Sequence, residues 1–82
     1  MAIIKPVNGK YPQIPEDCYV AENATIVGDV SLGEACSIWF NAVIRGDVHY
    51  IKIGNKVNIQ DGAVLHATYL KSPTIIGNNV SI

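Results

Sequence analysis

The amino-acid sequence predicts an all-β protein, a solenoid of short strands wound from six-residue repeats. Three observations carry that prediction. Aliphatic residues recur every sixth position at Val20, Ile26, Leu32, Ile38 and Ile44, and the file resumes at Ile53, Ile59 and Leu65 and again at Ile76 and Ile82. A second, mostly small file runs two places ahead of it, through Cys18, Ala24, Val30, Cys36, Ala42, Ile51, Val57, Ala63, Thr74 and Val80. Turn formers fall at the corners between, as in VGDV, IGNKV and IGNNV, where Gly and Asn tolerate positive φ at little cost.

Ile, Leu and Val make up 24 of the 82 residues, so ten positions in one register filled only by these types are no accident of composition. A helix would place apolar residues every three or four, and plain strand alternation would not hold a period of six. Both inward files therefore belong to short strands separated by tight turns, with large and small side chains alternating in the interior.

Taken in order, residues 1–17 form a lead-in and residues 18–82 the coils of one solenoid domain. Hexads three apart should stack on the same face, separated by the inter-strand distance of roughly 4.8 Å. Cys18 and Cys36 then fall on one interior file and read as small core thiols, in preference to a disulfide or a metal pair. The file slips twice, near residues 48–52 and in TYLKSPT, residues 68–74, and these insertions are expected as extruded loops of the kind that border sites. Trp39 and Phe40 follow Ile38 on an outward stretch, where exposed aromatics suit a subunit interface.

Composition excludes several function classes. A net charge of −1 gives no electrostatic case for a nucleic-acid partner. No apolar run reaches signal-peptide or membrane-spanning length, which suggests a cytoplasmic protein with no membrane partner. One domain this small buries only about 60% of its unfolded surface, so self-association is the expected support.

His66 directly follows the inward Leu65 and should point outward. Its equivalent one coil earlier is Arg45, with Asp47 two residues further along, while Gln60 and Asp61 lie at the corner leading into the same region. This is either a solvated solenoid face or a site. A catalytic zinc takes about three protein ligands plus an open position, and His66 is a single imidazole. His49 lies at the first insertion, out of register with His66, and is not expected to be a ligand.

The segment SIWFNAVIRGDVHYIKIGNKVNIQDGAVLHATY closely resembles the bacterial γ-class carbonic anhydrase-like proteins of the hexapeptide-repeat superfamily. RGD at Arg45 to Asp47 and NIQDGAVLH at Asn58 to His66 are its most specific pieces. The resemblance implies a left-handed parallel β-helix and a homotrimer with metal sites between subunits. It implies reversible hydration of CO2 to bicarbonate by zinc-bound water, with iron or cobalt as alternative metals. Carried over residue by residue, His66 matches a metal ligand. Gln60 and Asp61 match polar residues at the catalytic solvent, and Arg45 and Asp47 match a pair tied to the subunit interface.

The same resemblance implies two further histidine ligands and a terminal capping helix beyond Ile82, so the sequence reads as an N-terminal portion lacking both. Active relatives carry acidic residues where Val48 and Tyr69 stand. A non-catalytic trimeric metal-binding, small-molecule-binding or assembly protein is therefore the alternative function. A hexapeptide acyltransferase using coenzyme A is a third, against which the RGD and NIQDG segments weigh.

Overall fold

The computed structural model describes residues 2–67 and 72–82. Eight strands follow one another: β1 (Ile3–Lys5), β2 (Tyr19–Val20), β3 (Thr25–Leu32), β4 (Ser37–Ile38), β5 (Val43–Ile53), β6 (Asn58–Ile59), β7 (Val64–His66) and β8 (Thr74–Ile76). Among the described residues there is no helix, and every strand pairing is parallel. The fold is a parallel β-solenoid.

The pairings define three faces. On the first, β1, the start of β3, the start of β5 and β7 stack in that order, with Ile26 on Ile44 and Ile44 on Leu65. β3 turns a corner after Gly28, and its second half forms the next face, with Val30 on Ile51 and Ile51 on Thr74. The third face stacks β2, β4 and β6, with Val20 on Ile38 and Ile38 on Ile59.

Both predicted inward files line the interior except at the last position, where Ile82 is exposed. Ile26, Ile38, Ile44 and Ile59 are fully buried, as are Ala24, Ala42 and Val57 from the smaller file. Cys36 is buried and Cys18 half-buried, one coil apart, with the Tyr19 N–H donating to Cys36 O at 2.9 Å. Each thiol donates to a glycine carbonyl, Cys18 to Gly33 O at 3.2 Å and Cys36 to Gly54 O at 3.1 Å. Both are free cysteines, as small core thiols should be.

One corner repeats its chemistry between successive coils. The Oδ1 of Asn55 accepts the Glu34 N–H at 2.8 Å, and the Oδ1 of Asn78 accepts the Asn55 N–H at 2.8 Å. Gly33 and Gly54 sit beside these asparagines, and a Cβ on Gly33 would lie 2.5 Å from the Gly54 carbonyl. Glycine at the predicted corner position is thus required by the closeness of the next coil. A second asparagine pair works elsewhere, where Asn23 Nδ2 donates to Asn41 Oδ1 and Asn23 Oδ1 accepts the Asn41 N–H, both at 2.9 Å.

The first insertion differs from expectation. It does not leave the sheet as a loop but remains within β5, which runs unbroken from Val43 to Ile53. The register against β3 slips between Gly28 and Val30, so that Gly28 pairs with Gly46 and Val30 with Ile51. This is a β-bulge. Extended backbone persists because the displaced Tyr50 N–H finds an acceptor in His49 Nδ1 at 2.9 Å. Of the second insertion, residues 68–71, including Tyr69, lie outside the described residues.

Candidate functional site

The row predicted from spacing is present on the first face. Arg45 of β5 pairs directly with His66 of β7, and both are exposed. Local sequence explains their direction. Ile44 and Leu65 are buried beneath them, and strand alternation turns the next residue outward. The backbone carbonyl of His66 accepts the Thr74 hydroxyl at 2.8 Å, tying the end of β7 to the start of β8.

Asp47 joins Arg45 through a side-chain ion pair. Arg45 Nη2 donates to Asp47 Oδ2 at 3.1 Å, and Nε approaches the same oxygen at 3.4 Å. Desolvation alone would raise the Asp47 carboxyl, but the hydrogen bond and charge of Arg45 outweigh it and hold the group below the usual carboxylate range. Its other oxygen, Oδ1, is enclosed and has no hydrogen-bond partner among the described residues. A guanidinium carries five N–H donors, so Arg45 keeps several for a further acceptor.

Gln60 and Asp61 occupy the exposed turn between β6 and β7, which the Ala63 N–H closes by donating to Gln60 O at 3.1 Å. Among the described residues neither side chain bonds to Arg45, Asp47 or His66. The chain thus brings Arg45, Asp47 and His66 together and leaves Gln60 and Asp61 at the neighbouring corner.

Zinc would need about three protein ligands. Among the described residues no three His, Cys, Asp or Glu side chains converge to hold a metal ion. His66 is one outward imidazole, so the residues of this chain do not by themselves fit the ion. Any such site requires donors from elsewhere.

An open cleft of about 480 Å³, which spacing did not predict, lies along the bulge. Lys10, Asp29, Asp47, His49 and Tyr50 line it, together with Asn8. His49 and Tyr50 meet edge to face with ring centroids 5.1 Å apart. The cleft joins a hairpin near the N-terminus, a corner of β3 and the bulge of β5. No single stretch of sequence signals that combination. Trp39 is outward as expected, 4.9 Å from the Tyr19 ring and 6.4 Å from that of Phe40.

No helix among the described residues is long and apolar enough to cross a membrane. The model of the bacterial transferase hexapeptide family (six repeats) matches residues 11–46. A carbonic anhydrase of Geobacillus kaustophilus is 50% identical over 80 residues, covering 98% of this chain and 43% of that protein. Gamma carbonic anhydrase 2, mitochondrial, of Arabidopsis thaliana is 40% identical over 78 residues, covering 89% of this chain and 28% of the relative. Among solved structures, a hexapeptide transferase family protein from Anaplasma phagocytophilum superposes with a TM-score of 0.91 at 40% identity, over 98% of this chain and 46% of the other. The chain spans less than half the length of these proteins. It belongs to the hexapeptide-repeat family, as a γ-class carbonic anhydrase-like member.

Proposed function

We propose that this chain forms part of a zinc-dependent carbonic anhydrase-like enzyme that reversibly hydrates CO2 to bicarbonate at an interface between subunits of a cytoplasmic homotrimer. The observation that carries the reading is the outward row in which Arg45 and His66 pair across adjacent strands while Asp47 fixes the guanidinium. The relationship to carbonic anhydrases gives that row its chemistry. His66 is one metal ligand, and the remaining ligands come from outside the described residues. Zinc is the preferred metal, with iron or cobalt as substitutes.

The other side chains have roles that their positions support. Arg45, with N–H groups left over from its contact with Asp47, offers donors to a carboxylate across the interface. Asp47 stays ionised beside that cation and sets its direction. Gln60 and Asp61, exposed at the corner before β7, orient solvent and substrate and support the surrounding hydrogen bonds.

The test is metal content and sedimentation of the full-length protein, wild type and His66→Ala. A trimer with near-stoichiometric metal, lost in His66→Ala, together with CO2 hydration, is the expected result. A well-folded, metal-free trimer in zinc-supplemented buffer overturns it. A non-catalytic metal-binding or assembly role is the second reading. It is favoured by the exposed Val48 in the bulge, a side chain that can move no proton.

A further inference from the structure

Asn8 and Gly9 form the tip of a hairpin that Val7 and Lys10 close with two reciprocal N–H to carbonyl bonds, each 2.9 Å. Their φ angles are 51° and 78°, the left-handed pair of a two-residue type I′ turn. Both residues are exposed.

The sequence has seven asparagines, of which Asn8 alone precedes glycine. Asn23, Asn41, Asn55 and Asn78 have their carboxamides engaged between coils, and Asn58 shares a hydrogen bond with the Ser37 hydroxyl. Asn79 has no such bond among the described residues but precedes Val80, whose β-branched side chain crowds the backbone nitrogen. Among the described residues neither the Asn8 carboxamide nor the Gly9 N–H makes a hydrogen bond. A Cβ on Gly9 would meet nothing within 4 Å, so the space beside its α-carbon is open.

We propose that Asn8 is a site of intramolecular deamidation, which places a carboxylate on the rim of the bulge cleft. The Gly9 nitrogen gives its proton to solvent and bonds to the Asn8 side-chain carbonyl carbon. The bond from that carbon to the amide nitrogen breaks, that nitrogen takes a proton from solvent, and ammonia leaves. The resulting five-membered imide adds water at either carbonyl and opens to aspartate or isoaspartate. No redox partner is involved; water is consumed and ammonia released.

The fold allows the step because the turn hangs on a single isolated bridge. An exposed segment held by two hydrogen bonds opens locally at small cost, freeing the backbone to rotate into the attacking geometry. The consequence falls on the cleft. Lys10, Asp29, Asp47 and His49 share it with Asn8, and a third carboxylate there shifts its balance from mixed charge toward anionic. A bound anion would be weakened and a bound cation strengthened. The isoaspartyl form also lengthens the main chain by one methylene and displaces Lys10.

The test is peptide mapping by mass spectrometry of the full-length protein held at mildly alkaline pH, with isoaspartate detected by enzymatic methylation. Conversion confined to Asn8, at least an order of magnitude faster than at any other asparagine, is the expected result. Asn8→Gln should abolish the new acidic species on ion exchange. Two results overturn the proposal: Asn8 intact in the folded protein under conditions that convert it in urea, or conversion spread evenly over the other asparagines.

Discussion

Gly54→Ala should destabilise the protein through the spacing between coils. The φ of Gly54 is ordinary, so alanine is not strained there by its own backbone. A Cβ would instead collide with Asn78 Oδ1 and lie 2.9 Å from the Gly77 carbonyl carbon. Overpacking of this kind costs about 1–3 kcal/mol, against which the less flexible unfolded chain returns about 0.4–1 kcal/mol. The net loss should be about 1–2 kcal/mol. Asn78→Ala alone forfeits the 2.8 Å bond from the Asn55 N–H, an exposed bond worth about 0.5–1 kcal/mol. In the double variant the nearest colliding atom is gone, so its total loss should fall short of the sum of the single losses by about 0.5 kcal/mol or more. Urea unfolding of the full-length protein, followed by circular dichroism, reads all three as shifts of midpoint at constant slope. A Gly54→Ala protein as stable as wild type, or strictly additive losses, would refute the close approach of the coils.

Ile59→Ala removes a fully buried side chain stacked beneath Ile38 and should cost about 2–5 kcal/mol in the same assay. Asp47 has its folded pKa below the unfolded value, so its stabilisation is complete above the unfolded pKa and disappears as pH falls through the folded one. Acid titration of stability should lose part of its slope on the acid side of the carboxylate range in Asp47→Asn. Burial pushes the Cys18 thiol up, so alkylation at neutral pH should be slower than for a free thiol, and the more deeply buried Cys36 should react after it.

Much of this was legible because a solenoid converts spacing directly into neighbourhood. The six-residue file placed Ile38 over Ile59 and Arg45 beside His66 with no tertiary guesswork, since each coil repeats the same inward positions. The slip at the first insertion was equally plain, but not its form. Whether three surplus residues leave the sheet or stay extended depends on where the freed N–H groups find acceptors, and His49 Nδ1 supplies one from a side chain. The cleft was illegible for a different reason. Asn8, Asp29 and His49 come from three separate coils or turns, and no periodicity relates them. Gln60 and Asp61 lie at the exposed corner before β7, and among the described residues their side chains bond to none of Arg45, Asp47 or His66.

Stacked positions lie 18 residues apart between Asn23 and Asn41, 21 between Glu34 and Asn55, and 23 between Asn55 and Asn78. Both surpluses are absorbed along one edge of the prism, after Arg45 in one coil and after His66 in the next. The other two edges keep constant length. That edge behaves as an adjustable margin, since residues can be gained or lost there while the interior files stay in step. Evolution, or an engineer, can therefore reshape what adjoins Arg45 and His66 without renegotiating the core.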